Sequence, residues 1–277
     1  LKPETADSLT LGVVYSAGWA EGTSWSDSLE FELTYYKHEI DEAIGPVDAQ
    51  TQLNGCAGLV DVDGDGVVDD VGPVNAELCN GITRAPSGGI SSFRNTLVNL
   101  GGIDTDGWDF NVTWKSPSYS LGRFSVMWSN SFVNEFVQTD ITGSTELAGL
   151  EQNDSAIPEW TSNVNATWTR GDWSAAWTVR YIDAVIEACD PAVDALGRCS
   201  NSDPVAPTNT LGATVYNDAQ VSYFWKVFDT DTRLTVGVNN LFDRDPPDCT
   251  SCSLNGYDAS TYDIPGRFMY FRIDSRF

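Results

Sequence analysis

Apolar and polar residues alternate with period two through most of this chain, in runs separated by polar stretches rich in Gly and Asp. Leu9, Leu11, Val13 and Tyr15 alternate with Thr10, Gly12, Val14 and Ser16. Leu29, Phe31, Leu33 and Tyr35 alternate with Glu30, Glu32, Thr34 and Tyr36, and Trp108, Phe110, Val112 and Trp114 with Asp109, Asn111, Thr113 and Lys115. The apolar members of the next runs are Phe124, Val126, Trp128 and Phe132, then Trp160, Val164, Ala166 and Trp168, then Trp173, Ala175, Trp177, Val179 and Tyr181. Ala219, Val221, Tyr223 and Trp225 follow, then Leu234, Val236, Val238 and Phe242. In the last run Met269, Phe271 and Ile273 oppose Tyr270, Arg272, Asp274 and Arg276, and the chain ends on Phe277. Side chains alternate across a strand, so each run predicts a strand with one greasy and one wet wall.

The pattern predicts about nine strands of about ten residues, the length that crosses a bilayer at a tilt. Their connections alternate in length. Short ones fall at 18–27, 116–122, 170–172 and 228–232; long ones fall at 40–87, 138–157, 183–214 and 243–265. In an up-and-down meander alternate connections share a side, so one rim carries tight turns and the other carries large loops. That asymmetry predicts an all-β transmembrane antiparallel barrel. A β-sandwich or lipocalin-like barrel shares the alternation, but its loops do not sort by length this way. Trp19, Trp25, Trp108, Trp128, Trp160, Trp173 and Trp225 are read as strand-end residues of interfacial girdles.

Charge and composition narrow the partners. A net charge of −25 argues against binding a phosphate backbone, so no nucleic acid is expected as a partner. No apolar run is long enough for a membrane helix. Leu1-Lys2-Pro3-Glu4 is not a signal peptide, so an export signal is expected to have been removed or to lie on another piece. His38 is the one histidine, which leaves Ser–His or Cys–His chemistry hanging on a single rim residue; no enzyme is expected.

Two features of the long loops carry chemistry. The first is Asp61-Val62-Asp63-Gly64-Asp65-Gly66-Val67-Val68-Asp69-Asp70. Its carboxylates and glycine match the spacing of a calcium loop, with the Val67 carbonyl as a further ligand. Gly72 stands where the bidentate Glu belongs, so Asp70 or a distant oxygen must substitute. Residues 39–80 contain no Lys or Arg, so these carboxylates repel one another unless a cation sits among them. A structural calcium ion is expected, with a merely solvated acidic loop as the alternative. The second feature is the cysteine set. Cys56 and Cys79 lie in the first long loop, Cys189 and Cys199 in the third, Cys249 and Cys252 in the fourth. Loop placement favours three local bridges, all on one rim and in an oxidising compartment. Zinc at Cys249 and Cys252 lacks a second ligand pair.

The chain also resembles the C-terminal barrel portion of TonB-dependent outer-membrane receptors. The resemblance is carried by Leu1–Glu4, by Tyr35-Tyr36-Lys37 with Glu39-Ile40 and Ala43-Ile44, and by Asn99–Phe110 around Gly107-Trp108-Asp109-Phe110. Gly237-Val238-Asn239-Asn240-Leu241-Phe242-Asp243, Pro246-Pro247, Gly266-Arg267 and terminal Phe277 complete it. Ser275 departs from it, standing where such receptors often place an apolar residue. The resemblance implies energised uptake of a nutrient such as a siderophore or oligosaccharide. It implies an outer-membrane location with the long loops outside, contact with lipid and lipopolysaccharide, and an assembly signal at Phe277 read by the barrel-assembly machinery. Receptors of this kind close about 22 strands around a plug, and the resemblance leads us to expect neither the plug nor the other strands within these residues. The resemblance therefore implies that the remaining strands, the plug and, through the plug, TonB are partners. A calcium-binding structural or adhesive protein of the cell surface is the rival reading.

Overall fold

The computed structural model describes residues 1–47, 49–60, 70–76, 78–94, 97–139, 143–152, 154–189, 199–202, 207–227 and 230–276. In chain order the elements are β1 Thr5–Ser16, β2 Ser28–Pro46, α1 Ala49–Ala57, β3 Leu59–Val60, β4 Asp70–Val71, β5 Ile82–Arg84, β6 Ile90–Phe93, β7 Leu97–Lys115 and β8 Arg123–Thr139. Then come β9 Ser144–Glu146, β10 Leu150–Glu151, β11 Trp160–Arg170, β12 Trp173–Ile182, β13 Val185–Ala188, β14 Thr208–Leu211, β15 Thr214–Val227, β16 Thr230–Asn239 and β17 Phe268–Arg276. Nine long strands form one antiparallel meander in the order β1-β2-β7-β8-β11-β12-β15-β16-β17, with β9 added at the end of β8. Every neighbour pair is consecutive in the path, and β1 and β17 are its two edges, so the sheet is an open arc.

Registers confirm that the apolar positions share one face. Val13 pairs with Leu33, Leu33 with Phe110, Val112 with Trp128, Trp128 with Val164, Val164 with Val179, and Val236 with both Val221 and Phe271. This face is not covered by protein. Val13 is 67% exposed, Phe271 63% and Met269 69%. Trp128 and Trp177 are exposed on it as well. A soluble sandwich would have buried this wall, and the exposed greasy row is what a membrane barrel turns to lipid. The opposite face carries Glu32, Asn111, Ser129, Asn163, Thr178, Gln220 and Arg272 in matching rows.

Aromatic residues border the apolar wall on two lines. Near the rim of long connections Tyr35 packs on Trp108 at 4.9 Å, Phe132 stacks on Trp160 at 5.8 Å, and Trp160 meets Tyr181 at 4.6 Å. Near the rim of short turns Trp173 meets Tyr223 at 4.7 Å and Tyr223 stacks on Trp225 at 5.8 Å. Trp160 and Trp168 stand eight residues apart on β11, as do Trp173 and Tyr181 on β12. At about 3.4 Å per residue and a tilt of about 40°, that spacing sets the lines about 21 Å apart, close to the apolar band of a membrane barrel.

Three details differ from the sequence reading. The strands are not uniformly about ten residues: β2 and β7 have 19 each and rise together beyond the aromatic line. Alternation was hidden there because the register shifts around Asp41 and Ala43, with Glu42 at φ 55°. Second, Trp128 stands mid-strand between Val112 and Val164, and Trp108 lies within β7 rather than at its end. Third, Asn130 occupies an apolar-wall position opposite Phe110. It is buried, donating to the Phe110 carbonyl at 3.2 Å and accepting from the Trp160 indole at 3.3 Å, which removes the cost of an unpaired amide.

Two glycines on the polar wall are required by close approach. A Cβ at Gly107 would strike the Phe132 carbonyl and the Tyr36 ring; one at Gly237 would strike the Tyr270 ring alone. In each case a tyrosine lies over a glycine of the neighbouring strand, filling the gap left in the sheet.

Candidate functional site at the long-connection rim

The buried apolar cluster of the described residues lies at the long-connection end of the sheet, where Ile182 of β12 and Tyr216 of β15 meet the layer built by the long connections. Ile182, Val185, Leu211, Tyr216, Cys249, Cys252 and Tyr262 pack together, with Ala156 against them. Three connections therefore share one small core above the rim of β12 and β15. A three-stranded sheet, β10-β13-β14, forms its frame. Val185 and Glu187 of β13 point inward and Ile186 and Ala188 outward, the usual alternation on a short strand.

Buried acids organise this layer. Glu187 is fully buried and accepts from the Thr250 N–H at 2.8 Å, the Thr250 hydroxyl, the Ser251 hydroxyl at 3.3 Å and the Asn209 amide at 3.1 Å. It thereby ties β13, β14 and the last connection together. Asp154 accepts from the Ser253 N–H at 2.7 Å and from the Ser253 hydroxyl. Asp258 is fully buried; burial alone would raise its carboxyl, but hydrogen bonds from Thr261 and Ser260 hold it below the usual range. Burial, then the Asp258 charge, pushes the Glu151 carboxyl up to about 7. Burial likewise raises the Tyr262 phenol.

The last connection is also pinned to the polar wall. Arg180 of β12 forks onto Asp263, reaches Asp218 at 3.5 Å, and lies over the Tyr216 ring at 5.1 Å. Beside it a groove of 320 Å³ runs along the polar wall, lined by Asp109, Asn111, Ser129, Ser131, Asn163 and Arg180. On the loop layer a wider recess of 740 Å³ opens between β14 and the last connection, lined by Asn209, Thr210, Asp248, Thr250, Asn255 and Gly256. Its lining is rich in amides and hydroxyls, of which the Asn209 amide and the Thr250 hydroxyl are already donated to Glu187.

The three bridges pair Cys56 with Cys79, Cys189 with Cys199 and Cys249 with Cys252, and no described cysteine is free. All three lie in long connections. Asp61, Asp63, Asp65, Val67 and Asp69 lie outside the described residues, as does Phe277. Asp70 opens β4, which pairs with β3 so that Leu59 faces Val71 and Val60 faces Asp70. With the Cys56–Cys79 bridge, both flanks of the Asp-rich segment are held side by side. His38 bonds Ser8 Oγ through Nδ1 at 2.9 Å and stacks on Tyr36, within the β1–β2 pair. Glu187 and Asp258 were not foreseen. Their one sequence signal is an acid among apolar or hydroxyl neighbours close to a cysteine. Arg180 was visible only as a charge on the polar wall.

Comparison with known proteins fits this geometry. Residues 1–241 match the family model described as TonB dependent receptor-like, beta-barrel. Among solved structures, the siderophore receptor PirA from Acinetobacter baumannii superimposes at TM-score 0.55 and 17% identity, covering 100% of this chain and 32% of that one. The FrpB iron transporter from Neisseria meningitidis gives TM-score 0.52 and 14% identity, covering 98% and 31%. A ferric enterobactin receptor (PfeA) mutant from Pseudomonas aeruginosa gives 0.51 and 16%, covering 100% and 32%. The chain thus spans about a third of the length of these structures. No curated protein matches it in sequence.

Proposed function

The chain belongs to the family of TonB-dependent receptor β-barrels, and on that premise we propose that it is an arc of an outer-membrane uptake receptor, with its long-connection rim outside the cell. The observation that carries this reading is the pairing of an uncovered apolar wall with a polar wall under a folded loop layer. Lipid contacts the first, a plug domain and the passing nutrient contact the second, and the loops make first contact with ligand. Energy arrives through TonB acting on the plug, and the remaining barrel strands come from outside these nine. Phe277 serves assembly of the barrel, and the aromatic line near the long loops meets lipopolysaccharide.

The ligand class is inferred from the recess, whose lining by Asn209, Thr210, Asp248, Thr250 and Asn255 is mostly polar, whereas the groove joins Asp109, Asn111 and Arg180 to the apolar Tyr181 and Ile182. A polar complex the size of a siderophore fits first and an oligosaccharide second. The solved structures that share the fold include an iron transporter and siderophore receptors, which supports testing iron complexes before sugars. Uptake of labelled ferric siderophores by cells carrying the intact receptor, with and without TonB, tests this; transport unaffected by loss of TonB would contradict it. Deleting residues 57–78 is expected to impair ligand uptake.

Asp61, Asp63, Asp65, Asp69, Asp70 and the Val67 carbonyl form, in this reading, a structural calcium site that folds the first long loop. Support comes from the ligand spacing, the absence of Lys and Arg across 39–80, and the paired flanks. Calcium titration of the intact receptor, followed by protease protection of residues 47–96, tests it; identical cleavage with calcium and with chelator would contradict it.

A further inference from the structure

Glu151 and Asp258 meet in the loop layer as two buried carboxyls, near the buried and unpartnered Tyr262 hydroxyl. Glu151, at the end of β10, is 5% exposed and Asp258 is 0% exposed. Oε1 of Glu151 accepts the Ser155 N–H at 3.1 Å, while Oε2 has no donor. The Asp258 oxygens are already engaged. Oδ1 accepts the N–H groups of Ser260 at 2.8 Å and Thr261 at 3.1 Å and the Ser260 hydroxyl at 2.8 Å; Oδ2 accepts the Ala156 N–H at 3.1 Å. The two carboxyls nevertheless lie within hydrogen-bonding reach of each other. Ionised carboxylates only accept, so this contact requires a proton or a cation between them.

We propose that Glu151 and Asp258 share one proton and act as an acid-closed latch, fastening the connection that carries β10 to the last connection, so that the loop layer loosens when the proton leaves. The proton resides on Glu151, because four donated hydrogen bonds, one of them from a hydroxyl, favour the ionised form of Asp258, whereas Glu151 is met only by the backbone amides of Ser155 and Asp154. The other charged groups nearby do not compensate. Glu187 faces Glu151 in register on β13 and is satisfied by Thr250, Ser251 and Asn209. Asp154 is held by Ser253, and Glu159 lies beyond Gly149. Tyr262 is a neutral phenol, and Arg180, over the Tyr216 ring, is engaged by Asp263 and Asp218. The sulfurs of Cys249 and Cys252 lie within 4.8 Å of Glu151 but are bridged, so they offer neither a proton nor a thiolate for a metal.

The folded-state pKa of Glu151 is raised to about 7 from 4.5. The latch is therefore fully closed at acid pH, below the open-state value, and is lost as pH rises through about 7. The test is amide hydrogen exchange on the intact receptor in detergent, following residues 147–157 and 248–262 from pH 6 to pH 8.5 after correction for intrinsic rates. Wild type is expected to lose protection by about ten-fold or more over that interval. Glu151→Gln, whose amide donates to Asp258 at every pH, is expected to be flat. Asp258→Asn, which donates to an ionised Glu151, is expected to be flat too. A wild-type pH slope retained in both variants would overturn the latch. So would failure of both to fold at pH 6, since either amide should replace the proton. Loss of wild-type protection at pH 6 on adding chelator would also overturn it, by assigning the contact to a cation.

Discussion

Placing one arginine on either wall of β11 tests the two-faced sheet most sharply. Val164 stands four residues from Trp160 and four from Trp168, midway between the aromatic lines, with Trp128 and Val179 beside it. If that wall meets hydrocarbon, Val164→Arg puts a cation at the bilayer midplane, at a cost of about 2–4 kcal/mol. Thr167 lies on the opposite wall between Ser125 and Ala176. Thr167→Arg points into a polar interior, where the cost is about 0.5 kcal/mol or less. At about 1.4 kcal/mol per factor of ten, the folding constants of the two variants should differ by about 10- to 1,000-fold. Denaturant-dependent folding of the intact receptor into phosphocholine vesicles, read by tryptophan fluorescence, measures this. Equal losses, or a larger loss from Thr167→Arg, would refute the assignment of faces.

Other consequences can be checked separately. Gly107→Ala should destabilise by about 1–3 kcal/mol because the added methyl meets the Phe132 carbonyl; Gly237→Ala should cost less, since the Tyr270 ring can swing aside. Comparison of the two unfolding midpoints decides this. Arg180→Gln removes the fork onto Asp263 and should free the last connection, raising protease cleavage within 240–267 while leaving heat-modifiable gel mobility unchanged. Reducing the intact receptor should expose Cys249 and Cys252 to alkylation only after the loop core opens, because both are buried, and more slowly than the partly exposed Cys199.

The meander was legible because its physical cause is local. Alternation along β11 and β12 and the tight turn at Gly171-Asp172 need nothing beyond neighbours in sequence, and loop lengths alone sorted the two rims. The cysteine pairs were readable because each closes within its own connection. The site was much less legible. Arg180 and Asp263 lie 83 residues apart, and Glu151 and Asp258 meet from different loops, so only the folded layer brings them together. The extension of β2 was masked by an irregular pairing at Glu42, which breaks the period two on which strand reading depends. Asn130 has no counterpart in the apolar row read from the sequence, because the two hydrogen bonds that let an amide stand there come from neighbouring strands.

In the membrane barrel, consecutive residues of these strands face lipid and a wet interior by turns. Nitroxide labels scanned singly from Trp160 to Ile182 in the membrane-embedded receptor measure it directly, through collision with oxygen and with a water-soluble nickel chelate. Labels at 164, 166, 177 and 179 should favour oxygen, and labels at 163, 165, 176 and 178 should favour nickel or be shielded from both. A scan without period two, or with nickel favoured at 164 and 179, would contradict a lipid-facing apolar wall.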